Sequence, residues 1–274
     1  DTTPNCGNIL AGVAPFAIEA GLIEPTGDST TVRINMLNSG SQCELVVRTP
    51  NGKVEYQGDA CIDGVPGSAA PIACNYLNIA GSACGSLLPT GSRIDIVDGI
   101  EISCIDNGMP VVVLRAEDMG ISGYESPAEL NANEALKSKL QSIRLQIGPK
   151  MNLGDVEGAA VPKMCMISPP LKDGICHTRT FIPYKCHSAI GVLGAVSAAT
   201  AAIIPGTVAE GIATVPAGAS KTLSVEHPSG EFSINLHVDE QTDPPQVLKA
   251  GLLRTARLLS RGELYVPEHI FITE

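Results

Sequence analysis

The chain repeats itself, and the repeat limits what it can fold into. Cys186 lies 180 positions after Cys6, and Pro205 lies 180 after Pro25. Each cysteine precedes an apolar, small-residue run that reads as a helix, Asn8–Ile23 in one copy and Ala189–Ile204 in the other. After each helix come a strand, a Ser-Gly turn and a second strand: Val32–Gly40 with Cys43–Val47, and Leu223–Gly230 with Phe232–Leu236. Ser39-Gly40 and Ser229-Gly230 are 190 apart, so the second copy has gained ten residues in the intervening loop. Two diverged copies of one unit should set two helix N-termini against a shared cleft, and such interfaces are common places for small ligands.

The residues at those N-termini suggest a chemistry. A helix start offers unpaired backbone N–H groups and about half a positive charge. Both favour thiolate over thiol, so Cys6 suits proton transfer or attack on carbon. Asn5, Gly7 and Asn8 flank it; glycine admits a ligand close to the backbone, and asparagine both donates and accepts hydrogen bonds. In the second copy, His187 and Ser188 follow Cys186. Substrate carboxylates can be held by helix N-terminal N–H groups without a net cation. Gly7, Asn8, His187 and Ser188 are therefore the expected anion cradle. Asn38-Ser39 and Ser229-Gly230 are binding candidates at the paired turns, where turn chemistry alone also explains them. Arg179 is a candidate carboxylate clamp.

The copies differ in what precedes them. About sixty residues separate the start of the mid-chain helix from Cys186, including strand-like runs at Val161–Ser168 and Ile175–Pro183. Only five precede Cys6. The expectation is that the sequence begins partway into its first unit, as a fragment or nicked piece, with a gap in that unit's sheet.

Composition removes several function classes. A net charge of −11, with no basic patch, argues against a nucleic-acid partner. There is no signal peptide or long apolar span, so no membrane partner is expected. Nine cysteines without a CxxC pair support neither a disulfide framework nor a zinc ribbon. Cys176-His177 and Cys186-His187 match no common ligand spacing, so no metal is expected. Free thiols point to the cytoplasm.

Along the chain, strands are predicted at Thr31–Leu37, Gln42–Thr49, Val54–Asp59, Arg93–Val97, Ile100–Ile105 and Val111–Ala116. Gly64–Pro89, rich in Gly, Ala, Ser and Pro, reads as a loop over a cleft. Ser126-Pro127-Ala128-Glu129 is a capping box opening a helix to Ile147. Asp243-Pro244 reads as the cap of a long helix ending at Gly262, and Tyr265–Ile272 as a terminal strand. Helices and strands mix without strict βαβ alternation, which predicts an α+β fold.

Together these motifs resemble the 2-methylaconitate isomerase family, PrpF, of the diaminopimelate-epimerase-like fold. The resemblance is carried by Asn5-Cys6-Gly7-Asn8, Asn38-Ser39-Gly40, Pro66–Pro71, Leu88-Pro89-Thr90-Gly91, Pro162-Lys163, His187, Ile204–Thr207, His227-Pro228-Ser229-Gly230 and Arg254–Arg257. Within the family, Asp1–Phe16 is most similar to the 4-oxalomesaconate tautomerases of gallate degradation.

The resemblance implies two similar units, each a curved sheet around a central helix: residues 1–118 with 264–274, and 119–263. It implies a cofactor-independent proton shift in an unsaturated di- or tricarboxylate, with Cys6 as the catalytic thiol. The family's partner lysine belongs to an N-terminal Arg-Gly-Gly-Thr-Ser-type segment that this sequence does not contain. Lys163, at the equivalent opening strand of the second copy, is a secondary candidate. Cys186 is another, matched only by repeat position, because His-Ser-Ala follows it where two-thiol epimerases carry Gly-Thr-Gly or Gly-Ser-Gly. A 2-methylaconitate or aconitate isomerase, a two-cysteine amino-acid epimerase and a non-catalytic binding protein stay open as alternatives, and a homodimer is compatible with any of them.

Overall fold

The computed structural model describes residues 7–37, 39–263, 265–267 and 270. Among these residues, eleven strands form one sheet. In chain order they are β1 (Ser29–Met36), β2 (Ser41–Arg48), β3 (Ile72–Leu77), β4 (Asp95–Val97), β5 (Ile100–Asp106), β6 (Pro110–Arg115), β7 (Lys163–Ser168), β8 (Cys176–Phe181), β9 (Ser220–His227), β10 (Gly230–Asp239) and β11 (Gln246–Arg254). The helices are α1 (Gly7–Glu19), α2 (Pro127–Ala132), α3 (Glu134–Ile147) and α4 (Val192–Ile203). Spatially the strands run β1-β2-β3-β11-β10-β9-β8-β7-β6-β5-β4. Neighbours are antiparallel except β6–β7 and β8–β9, each bridged by a crossover that contains helix.

The centre of the sheet reads as continuous apolar sequence because both of its faces are buried. Along β5 to β7, Ile102, Cys104, Val112, Leu114, Met164 and Met166 face one way, onto Leu136, Leu140, Ile143 and Ile147 of α3. Their neighbours Ile105, Val111, Val113, Cys165 and Ile167 face the other way, into the core built on α4. All of α4 except Ala202 is buried, and its alanines let strands approach closely. The helix touches β5 and β6 as well as β9 and β10, so the sheet must curve around it. That is the expected central helix in a curved sheet. On the other side α1 packs on β2 and against α4, within the same core.

Several local expectations hold. The Ser39-Gly40 and Ser229-Gly230 turns close the β1–β2 and β9–β10 hairpins. The capping box at Ser126 forms, with Glu129 N–H donating to the Ser126 hydroxyl and Ser126 N–H to the Glu129 carboxylate. Its helix breaks at Asn133, whose side chain caps α3 by accepting from Leu136 N–H at 3.0 Å.

Others need correction. Within the presumed loop Gly64–Pro89, Ile72–Leu77 forms the interior strand β3, burying Ile72, Cys74 and Tyr76. The presumed helix after Asp243-Pro244 is instead β11, followed by irregular chain from 255. Val54–Asp59 is irregular. In the expected terminal strand, residues 265–267 have no strand pairing, and the rest, apart from 270, lies outside the described residues. One sheet runs across the expected unit boundary at residue 118, with β3 paired to β11 and β6 to β7, and leaves the division into two units open. Among the described residues β1 and β4 are its edges, and no helix is long and apolar enough to cross a membrane.

Candidate active site

The two helix N-termini meet. A Cβ placed on Gly7, the first residue of α1, would stand 2.7 Å from the Cβ of Val192, the first residue of α4, and 2.9 Å from the Tyr76 hydroxyl. Only glycine allows this approach. Neither helix carries an acidic residue in its first turn, and Gly191, which caps α4, has no side chain to cap with. Among the described residues neither first turn supplies a carboxylate acceptor, and both dipoles present their positive ends at one place.

Beside this junction lies a cavity of about 410 Å³. Four of the residues singled out in the sequence line it: Asn8 from α1, His187 and Ser188 from the loop before α4, and Ser229 from the β9–β10 turn. Ile62, Asp63, Gly64 and Val65 also line it. At Gly64 the backbone takes a positive φ of 83°, and an added Cβ would lie 3.5 Å from the Ser229 hydroxyl. A larger cavity of about 500 Å³ lies between α1 and residues 256–262 and contains none of the candidate site residues.

The histidines in the smaller cavity are held neutral. Burial lowers the pKa of His187, and nearby Lys163 adds to the effect. Ala189 N–H donates to its Nδ1 at 2.8 Å, which assigns the proton to Nε2. His227 is also lowered, chiefly by burial, and its Nδ1 accepts from Ser229 N–H at 3.3 Å. Two neutral imidazoles can each donate one hydrogen bond without bringing a charge of their own.

The other candidates fall elsewhere. Asn5, Cys6 and Asn38 lie outside the described residues. Ser39 sits in its turn, its hydroxyl 3.4 Å from Ser41 N. Gly230 plays a packing part: its φ is 144°, and a Cβ there would overlap the Asp63 carboxylate. Cys186 is buried in the apolar cluster under α3, and burial pushes its thiol up to about 11. It does not line the cavity, and the helix expected directly after it starts only at Val192.

Arg179 is committed to structure. It donates to Glu125 O at 2.6 Å and Thr178 O at 2.9 Å, and contacts the His177 ring at 2.7 Å. Lys163 opens β7 and donates from Nζ to Ala160 O at 2.5 Å; burial, then Arg144, hold its pKa down to about 8. Sequence reasoning gave no individual role to Asp63, His227, Phe232 or Arg254, which also line the cavity. His227 and Arg254 did stand in the motifs that carried the resemblance.

Comparison with known proteins identifies the family. The profile of the PrpF protein family matches residues 1–267. A (4E)-oxalomesaconate Delta-isomerase of Novosphingobium sp. (strain KA1) is 55% identical over 262 residues, covering 96% of this chain and 72% of that protein. A 4-oxalomesaconate tautomerase of Pseudomonas putida is 53% identical over the same length and coverage. The crystal structure of a methylitaconate-delta-isomerase superposes with a TM-score of 0.84 at 27% identity, covering 99% of this chain and 75% of that one. With a profile match running almost end to end, the chain belongs to the PrpF family.

Proposed function

We propose that the protein shifts a proton within 4-oxalomesaconate, as a cofactor-independent tautomerase or Delta-isomerase of gallate-type aromatic breakdown. That it is an isomerase of unsaturated carboxylates follows from its relatives. The observation that supports this substrate best is the convergence of Asn8, His187, Ser188 and Ser229 on one cavity at the junction of α1 and α4.

A base removes a proton from the carbon beside the carbonyl. The C–H electron pair spreads through the conjugated double bond onto oxygen. A proton returned to that oxygen gives the enol, and one returned to the far carbon gives the shifted alkene. Nothing is consumed in either case. Helix N-terminal N–H groups and the Nε2–H of His187 are suited to the developing negative charge; one such donor contributes about 3–4 kcal/mol where its removal has been measured. Cys6, which directly precedes α1, is the proposed proton carrier. A second reading with Cys6 and Cys186 as paired bases is disfavoured by the burial and raised pKa of Cys186. Free thiols throughout the described residues support a cytoplasmic location.

The test is deuterium uptake from heavy water into 4-oxalomesaconate, followed by proton NMR and by the ultraviolet change of the conjugated acid. Cys6→Ser should retain binding and lose about 10²–10⁴-fold in turnover, the usual worth of a positioned proton carrier. Wild-type exchange in that variant would remove the thiol from the mechanism. No exchange in the unmodified protein would remove the substrate.

A further inference from the structure

The cavity wall contains one full cation that the sequence reasoning left without a role. Arg254 ends β11, is 9% exposed, and lines the cavity beside Phe232 and Thr255. Its guanidinium lies 3.9 Å from the centre of the Phe232 ring. One terminal nitrogen donates to Leu253 O at 3.1 Å, while Nε is buried with no hydrogen-bond partner among the described residues. No carboxylate pairs with it there. Its electrostatic neighbours are the Cys74 thiol and the Tyr76 phenol, and burial drives the Cys74 thiol up to about 11, so it is neutral near pH 7.

A buried charge ordinarily carries a partner, because leaving water unpaired is costly. Among the described residues the rest of the wall supplies no cation: the histidines are neutral, the helix ends offer only partial charge, and Asp63 is engaged by Glu231 N–H at 2.9 Å. Arginine presents a planar fork of donors suited to a carboxylate, and the Phe232 face holds that fork flat.

We propose that Arg254 binds one carboxylate of the substrate and that this contact makes the cavity select polycarboxylates over monocarboxylates. The assignment rests on the same site as the proton-shift reading, yet needs no turnover. The test measures binding of propane-1,2,3-tricarboxylate, which has no double bond to shift, by calorimetry and thermal shift at fixed low salt. Arg254→Gln is expected to weaken binding at least tenfold, and Arg254→Lys to recover part of the loss. Butyrate, with a single carboxylate, should bind wild type at least tenfold more weakly than the tricarboxylate.

Arg254→Met serves as the folding control. Removing a buried, unpaired charge should leave the ligand-free melting temperature unchanged or raised, while abolishing the shift produced by ligand. Equal affinity in wild type and Arg254→Gln overturns the proposal, and so does failure of both to bind. Loss of exchange into 4-oxalomesaconate with this binding pattern intact would refute the substrate but leave Arg254 in its role.

Discussion

Gly7→Ala is the sharpest probe of the helix junction. The new methyl would lie 2.7 Å from Val192, whereas ordinary contact begins near 3.4 Å, so one helix end must retreat by about 0.7 Å. Overpacking of this kind costs about 1–3 kcal/mol, partly offset by the roughly 0.5–1 kcal/mol that alanine gains over glycine in a helix. The net expectation is a loss of about 1–2 kcal/mol, with Tm falling roughly 2–4 °C per kcal/mol for a protein of about this size. Turnover should suffer more, because misplacing a binding group by about 1 Å can cost 10²-fold.

Gly12 supplies the control. It lies in the same helix with nothing within 4 Å of an added Cβ, so Gly12→Ala should stabilise by about 0.5–1 kcal/mol and leave turnover intact. Denaturant melts and deuterium-exchange rates on both variants decide the matter. If Gly7→Ala is as stable and active as Gly12→Ala, the two helix ends do not meet as described.

Further tests follow from other parts of the fold. His177 is held down to about 4 by burial and by Arg179, with Glu226 opposing. Its folded pKa lies below its unfolded value, so the stability linked to it is complete above about pH 6.5 and is lost as pH falls towards 4; His177→Gln should flatten that part of a stability-versus-pH curve, and an unchanged slope would refute the assignment. Ser126→Ala removes the α2 capping box and should cost about 0.5–2 kcal/mol in denaturant melts with kcat unaltered. A fall in kcat there would show that the cap communicates with the cavity.

The parts of the fold legible in the sequence are those whose signals are local. The Ser-Gly turns, the capping box and the apolar run Val111–Leu114 each carry their cause within a few residues. The two large misreadings are partners of one another. β3 lies in a stretch whose Gly, Ala, Ser and Pro content conceals the alternation of Ile72, Cys74 and Tyr76. β11 is rich in Leu, Lys, Ala and Arg, which favour helix, and Asp243-Pro244 ahead of it mimics a helix start. Pairing between the two strands overrides both propensities, and nothing local announces a partner so remote. The site divides in the same way: Asn8, His187, Ser188 and Ser229 follow from the duplication, whereas Asp63 and Arg254 reach the cavity through long-range pairing and loop placement.

That pairing has a consequence in time. Ile72 lies opposite Arg254 and Leu77 opposite Lys249, so the partners are 172 to 182 positions apart in sequence. Contacts of such separation are slow to form, because a long loop must close before any pairing rewards it. β1–β2 and β9–β10 are hairpins able to zip locally. The strand pair that brings Arg254 beside the residues under α1 must wait for synthesis to deliver β11. A growing chain can therefore own Cys6, Asn8 and a finished first hairpin and still have no pocket, and the switch from inert to competent waits until β11 has been made and paired.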